Sequence, residues 1–233
     1  MKFLLFVFVL VYMFTGCSQK KVEVQKPIEK VVVKKEPIKG LIPENVIQKA
    51  ERKYGFTVRT RYEAYNQKIL ELQDASTDEK LEKINQFFNT LPYVNDLEVW
   101  GVKDYWASPL EFLGKAKGDC EDYVIAKYNS LKNLGVKVEK MFFTYARAAK
   151  FSKNHMVLSY FETPNSVPLV LDSINYKIFP ADKRKDLTPL YNYNGTLLYK
   201  VEGPGKNGQR VKNRAHIDKQ WNTMLRDIER NKF

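Results

Sequence analysis

The chain has 233 residues, of which 44% are hydrophobic and 13% aromatic, so it is long and apolar enough for one packed domain with extensions. Its formal charge is +12, but residues 1–40 contain eight Lys and three Glu, which supply +5 and leave +7 for the remainder. No recognisable RNA- or DNA-binding motif accompanies this charge. We therefore expect no nucleic-acid partner, and anionic lipid or an acidic protein fits the charge at least as well.

The first residues predict export from the cytoplasm. Met1-Lys2 precedes an apolar run over 3–14, which is short for a membrane span but suits the core of a signal peptide. The following residues, Phe14-Thr-Gly-Cys17, resemble a bacterial lipobox. We expect residues 1–17 to be a signal peptide and Cys17 to be lipidated, with ordinary cleavage nearby as the alternative. Ser18 after the Cys favours the outer membrane, and either outcome places the protein in the periplasm.

Residues 18–40 are rich in Lys, Val and Glu and show no helical period. They predict an extended tether. A solvated linker is the favoured interpretation, and Lys contacts with anionic lipid are the alternative. The globular domain is expected over 41–233.

The first half of that domain carries helix signals. A first helix is predicted over 43–55 and a second over 57–72. Ser76–Glu79 is a capping-box start for a third helix, which Leu91-Pro92 stops. Ser108-Pro109 begins a further short helix.

Beyond residue 135 the pattern changes to β-rich runs over 138–149, 155–161 and 167–174. Their short connections imply antiparallel neighbours. Helices first and strands later predict an α+β fold rather than an alternating parallel one. A closing amphipathic helix is expected over 208–231.

One stretch joins the two halves: Gly118-Asp119-Cys120-Glu121-Asp122-Tyr123 is typical of a loop that turns into a helix. Asp119 suits the N-cap and Asp122 the capping-box position. Cys120 then lies in the first turn, where the helix dipole favours a thiolate. If Cys17 is lipidated or removed, Cys120 is an unpaired thiol in an oxidising compartment, which favours a nucleophile. The alternative is a small buried hydrophobe.

A thiol nucleophile needs a base, and the base benefits from a group that orients it. The chain has two histidines. His155 opens a predicted strand, and His216 lies in the basic C-terminal helix. Asp172 follows an apolar run, where a carboxylate is costly without a partner. Adjacent antiparallel strands could bring His155 and Asp172 together, facing Cys120. A structural histidine and a strand-end aspartate remain the alternatives.

The Cys-centred stretch and the helix after it resemble the bacterial transglutaminase-like cysteine peptidases, in particular the LapG-type periplasmic proteinases. The resemblance covers about residues 85–200. Its further segments are Asp104–Leu113, His155–Leu158, Leu169–Asp172 and Arg184–Tyr191. It implies a papain-like fold of the transglutaminase type, with the nucleophile helix packed on an antiparallel sheet.

The resemblance also implies roles for individual residues. Cys120 would be the nucleophile, His155 the general base and acid, and Asp172 the group that orients His155. Calcium would be bound by the acidic residues beside the Cys, which are Asp119, Glu121 and Asp122 here. Hard oxygen ligands suit calcium, although the residues alone equally favour three carboxylates that cap a helix N-terminus.

For the family, the resemblance implies a periplasmic, calcium-dependent endopeptidase. Its substrate is the N-terminal region of a large surface adhesin, whose release promotes biofilm dispersal. An inner-membrane receptor that senses cyclic di-GMP sequesters the protease. Two alternatives stay open: a transglutaminase-like acyltransferase, and a non-catalytic lipoprotein that binds a partner through the cleft.

Overall fold

The computed structural model describes residues 40–149, 153–213 and 215–231. The predicted signal peptide, lipobox and all but the last residue of the tether lie outside these ranges. Within them, no helix combines the length and the apolar character needed to cross a bilayer.

Between residue 40 and the Cys-centred stretch the structure has five helices, and the predicted ones are confirmed. Their bounds are α1 Glu44–Tyr54, α2 Thr57–Glu71, α3 Thr77–Phe88, α4 Asp96–Trp100 and α5 Pro109–Lys115. Local chemistry starts them as expected, since the Ser76 side chain accepts from the amide of Glu79 at 3.2 Å and Ser108 forms a capping box with Glu111. The short helix α4 falls in a segment for which the sequence predicted no helix.

Helix α6 spans Cys120–Asn133. It ends in a Schellman arrangement, because the amide of Gly135 bonds to the carbonyl of Lys132 at 3.0 Å and that of Val136 to Leu131 at 2.9 Å. Gly135 takes the positive φ of 84° that this ending requires. The helix contacts α3, α5 and the sheet and is buried almost all round, so it forms the centre of the domain.

The sheet is antiparallel, with the strand order β4-β3-β2-β1-β5-β6-β7 among the described residues. The strands are β1 Met141–Ala148, β2 Lys153–Tyr160, β3 Leu169–Leu171, β4 Phe179–Pro180, β5 Leu187–Tyr193, β6 Leu198–Glu202 and β7 Lys206–Arg210. All three predicted β-rich runs contain a strand. The third strand is much shorter than its run, and it ends one residue before Asp172.

The closing helix α7 spans Ala215–Glu229, so its predicted start at 208 is wrong. Residues 206–210 instead pair with β6 as an edge strand, because the apolar residues at helical spacing begin only at Ile217. Trp221 of this helix packs against Tyr128 of α6 and Phe143 of β1, with ring centroids 5.5 Å and 5.0 Å apart. Helices before the sheet, and α6 packed on an antiparallel sheet, confirm the predicted α+β fold.

Candidate active site

The start of α6 is fixed by the carboxylate of Asp122, which is fully buried. One oxygen accepts from the amide of Asp119 at 3.3 Å, and the other accepts from the amide of Ala107 at 2.9 Å. The predicted capping box is therefore present. The same carboxylate also ties the loop before α5 to the helix that carries Cys120.

Gly118 is required here for space rather than for a positive φ. A Cβ at this position would lie 2.3 Å from the carboxylate of Asp122 and 2.9 Å from the ring of Phe112. Both neighbours are buried, so neither has room to move away.

We expect Gly118→Ala to displace the Asp122 carboxylate and to destabilise the domain by about 1–3 kcal/mol. Urea unfolding followed by circular dichroism measures the change. Gly203→Ala is the matched control, because a Cβ there meets open space although the positive φ of 59° adds local strain. Equal losses of stability in the two variants would contradict the steric argument.

The thiol of Cys120 is buried and donates a hydrogen bond to the carboxylate of Glu121 at 3.0 Å. Burial raises the pKa of the Cys120 thiol well above its ordinary value, and the negative charges of Glu121 and Asp119 raise it further. The amide of Met156 acts in the opposite direction. The helix start does not by itself produce a thiolate, contrary to the simple dipole expectation, so Cys120 needs a base.

His155 lies on β2 and is buried, and its Nε2 is 2.7 Å from Oδ1 of Asp172. The contact follows from register, since Leu158 of β2 pairs with Leu171 at the end of β3. Continued by one residue, that register places Asp172 opposite Val157 and diagonal to His155 on the same face. His155 and Cys120 line the same cleft.

Arg184 completes the surroundings of Asp172. Its Nη2 donates a hydrogen bond to Oδ2 of Asp172 at 2.6 Å. Its Nε and Nη2 also donate to the two carboxylate oxygens of Asp186, at 2.9 Å and 2.7 Å. Burial alone would raise the pKa of Asp172, but hydrogen bonds from His155, the amide of Ile174 and Arg184 hold it well below its usual range. Asp172 is therefore ionised at neutral pH. Sequence reasoning assigned no role to Arg184.

The cleft has a volume of about 1320 Å³ and is walled by aromatic side chains, including Tyr93, Trp106 and Tyr145. His216 of α7 lies at the same cleft but is exposed. The sequence separates Tyr93 from His216 by more than a hundred positions, so their meeting at one cleft could not be predicted from local pattern.

Tyr93 is held rigidly beside the nucleophile candidate. The amide of Val94 bonds to the carbonyl of Gly118 at 2.8 Å, and the ring of Tyr93 stacks on that of Tyr123 with centroids 6.3 Å apart. Tyr93 is 48% exposed, yet partial burial raises its pKa far above the ordinary value, and the negative charges of Cys120 and Asp119 raise it further. Tyr93 thus has a protonated hydroxyl at the cleft that contains Cys120, a placement that sequence reasoning missed.

Carboxylates cluster behind Cys120. Ligand atoms of Asp119, Cys120 and Glu121 lie within 4.8 Å of one another, and so do those of Asp96, Asp119 and Asp122. The sequence predicted Asp119, Glu121 and Asp122, and it missed Asp96, which resembles an ordinary residue in the first turn of a helix. Asp122 already accepts two amide hydrogen bonds, so its oxygens are less available as metal ligands than those of Asp96, Asp119 and Glu121.

The cluster is poorly satisfied by protein groups alone. One oxygen of Asp96 and one of Asp119 are buried without a hydrogen-bond partner among the described residues. Burial and then the charge of Glu121 raise the pKa of Asp119 to about 8, and burial raises that of Asp96 to about 6. Such carboxylates fit a cation with several oxygen ligands.

The chain matches known proteins over most of its length. The family model of the bacterial transglutaminase-like cysteine proteinases matches residues 54–186. Two solved structures from Legionella pneumophila, LapG in an EGTA-treated form and LapG in a calcium-bound form, are 34% and 35% identical to the chain, each with a TM-score of 0.68. They cover 81% and 80% of this chain, and 98% and 99% of their own. No curated protein matches the sequence.

Proposed function

This chain belongs to the bacterial transglutaminase-like cysteine proteinases, and on that premise we propose that it is a calcium-dependent endopeptidase that uses Cys120, His155 and Asp172. The observation that carries the proposal is the 2.7 Å contact between His155 and Asp172 at a cleft that also contains Cys120. Family membership supports the peptidase activity, and the geometry supports the three roles.

The contact with Asp172 assigns the two ring nitrogens of His155. An ionised Asp172 accepts a hydrogen bond from Nε2–H, which leaves the lone pair of Nδ1 to take the thiol proton of Cys120. As the sulfur bonds to the scissile carbonyl carbon, the carbonyl oxygen becomes an oxyanion. The carbon–nitrogen bond then breaks, and the proton held on Nδ1 passes to the leaving amine. Water hydrolyses the acyl-enzyme with His155 again as base.

The acidic cluster supports the calcium part of the proposal. Asp96, Asp119 and Glu121 would hold the ion, since their oxygens are hard ligands and two of those oxygens have no partner among the described residues. Bound calcium would supply positive charge that offsets the repulsion between the carboxylates and the Cys120 thiolate. One relative is described as calcium-bound LapG, which agrees with this assignment.

The hydroxyl of Tyr93 fits the role of a donor to the developing negative charge. It stays protonated and lines the cleft that contains Cys120, so it can donate to the thiolate or to the oxyanion next to it.

We expect Tyr93→Phe to lower kcat about 10-fold or more with little change in KM, because the lost donor acts mainly on charge that develops in the reaction. Steady-state kinetics on a cleavable fragment measures this. Tyr123→Phe is the matched control, since it removes the other hydroxyl of the stacked pair, which bonds to the carbonyl of Leu91. A kcat reduced equally in both variants would show that the stacking, not the Tyr93 hydroxyl, matters.

The substrate, partner and location are proposed from the family resemblance. We infer that the substrate is the N-terminal region of a large surface adhesin, that its release promotes biofilm dispersal, and that an inner-membrane receptor sensing cyclic di-GMP sequesters the enzyme. The apolar run and lipobox-like segment at the N-terminus support a periplasmic location, with a lipid anchor at Cys17.

The proposal is tested by incubating the purified full chain with the N-terminal region of a large adhesin encoded in the same genome. Gel electrophoresis and mass spectrometry of the new termini detect cleavage at one site. A parallel reaction with a primary amine separates the two acyl-transfer outcomes, because hydrolysis gives a free carboxylate and transamidation gives an amide. Intact adhesin, with no product in either reaction, would refute the proposed substrate.

A further inference from the structure

A buried ammonium group lies behind the candidate active site and takes no part in the mechanism described so far. Lys127 is 1% exposed and lies on α6, two turns after Cys120. Its Nζ donates to Oδ1 of Asn89 at 2.8 Å and to the backbone carbonyl of Asp172 at 3.1 Å. In the described part of the chain, this lysine forms no ion pair.

Asn89 contacts the same carbonyl. It caps the C-terminus of α3, is buried, and donates through Nδ2 to the carbonyl of Asp172 at 2.8 Å. Lys127, Asn89 and the Asp172 carbonyl therefore form a closed set of three hydrogen bonds. Two helices, α3 and α6, hold one peptide group through it.

This peptide group needs such support because the sheet does not supply it. Strand β3 ends at Leu171, and its pairing with β2 covers only Leu169 to Leu171. Asp172 lies one residue beyond the ladder. Its side chain nevertheless has to keep Oδ1 on His155 and Oδ2 on Arg184.

We propose that Lys127 and Asn89 are positioning residues for the peptidase reaction, which fix the main chain of Asp172 so that its carboxylate stays on Nε2 of His155. The inference rests on the proposed roles of Cys120, His155 and Asp172. A buried ammonium is costly, and an apolar side chain of similar length would fill the same space at lower cost. Helix packing alone does not account for a lysine here, whereas a donor that reaches the Asp172 carbonyl does.

The variants Lys127→Met and Asn89→Ala test the proposal. Each removes part of the set of three hydrogen bonds, and the second keeps the test valid if the first fails to fold. Lys132→Met is the matched control, because Lys132 is an exposed lysine of the same helix. We expect kcat per folded molecule to fall about 10- to 100-fold in both test variants, with KM changed less than about threefold, since misplacement of a catalytic group costs rate rather than binding.

A second readout needs no substrate. In the full chain labelled with ¹⁵N-histidine, His155 of the native protein should be the Nε2–H tautomer, with a downfield proton bonded to Asp172. His216→Gln assigns the signals, because the chain has two histidines. We expect Lys127→Met and Asn89→Ala to give mixed tautomers and rapid exchange of that proton, and Lys132→Met to match the native spectrum.

The outcomes separate this inference from the proposed function. Native tautomer and native kcat in both test variants would overturn the positioning role, even if their melting temperatures change. A native protein that cleaves nothing would overturn the proposed function. The tautomer comparison would in that case still decide whether Lys127 and Asn89 hold Asp172 on His155.

Discussion

Replacement of Cys120 by Ala should abolish cleavage of the adhesin fragment, with kcat falling by about 10⁴-fold or more. The thiol supplies the covalent bond of the acyl-enzyme, which the methyl group of Ala cannot form. The loss should appear in kcat, because the small Ala side chain leaves the cleft open for substrate. Time courses of product formation at equal concentrations of folded protein measure it.

The other cysteine of the chain supplies the matched control. Cys17→Ser should leave kcat of the purified protein unchanged, because Cys17 belongs to the predicted signal peptide and lipobox, whereas Cys120 lines the cleft. Alkylation by iodoacetamide, followed on the Cys120 peptide by mass spectrometry, adds a readout that needs no substrate. Full cleavage by Cys120→Ala protein would refute the nucleophile assignment.

Local chemistry is what made much of the fold predictable. The N-cap at Ser76 and the capping boxes at Ser108 and Asp119 involve partners three residues away, and the stop at Gly135 involves the preceding turn. Interactions between residues so close along the chain can be recognised in the sequence. The start of α7 was misplaced because the pairing of 206–210 with β6 depends on a sheet edge that local periodicity does not reveal.

The residues of the candidate site also differ in whether local sequence could predict them. Cys120, His155 and Asp172 were predicted as site residues because unusual residues fell at a helix start and at strand ends in the expected order. Lys127 and Arg184 were missed, since a lysine in an amphipathic helix or an arginine in a polar loop is ordinary in sequence. Only the tertiary structure shows that both are directed at Asp172.

Asp96 was missed for a related reason. It follows the N-cap Asn95, where an acidic residue is favourable in any helix. Its contact with Asp119 spans more than twenty residues. The full acidic cluster could therefore be identified only from the tertiary structure, in which α4 lies close to the start of α6.

Removal of calcium should abolish cleavage and lower the melting temperature. The ion would bind the folded cluster and not the unfolded chain, so calcium at about 100 times its Kd adds about 2.7 kcal/mol. For a domain of this size that corresponds to about 5–10 °C. Differential scanning calorimetry with calcium and with EGTA, and cleavage assays under both conditions, measure the two effects. Unchanged cleavage in EGTA would refute calcium dependence.

The stability in EGTA should also depend on pH in a defined direction. The pKa of Asp96 is raised to about 6 and that of Asp119 to about 8, above the value of 3.8 expected in the unfolded chain. The fold then retains protons that the unfolded chain has released, so stability should fall as pH rises from about 4 to 8. Measurements at pH 5 and 6 largely avoid the titration of Lys127, whose pKa is lowered to about 7 and which adds stability only at higher pH.

The variant Asp119→Asn distinguishes a calcium ligand from a structural carboxylate. Its change in stability relative to the native protein should have opposite signs in EGTA and in calcium. Asn is also a good N-cap, so α6 can still begin at Cys120. In EGTA the variant should be as stable as the native protein or more so, because the neutral Asn avoids both the charge repulsion and the cost of keeping the Asp119 carboxyl protonated. In calcium it should be less stable and should need more calcium for cleavage. The exposed Asp74→Asn should match the native protein in both conditions. Equal destabilisation of Asp119→Asn with and without calcium would mean that Asp119 supports the helix and not the ion.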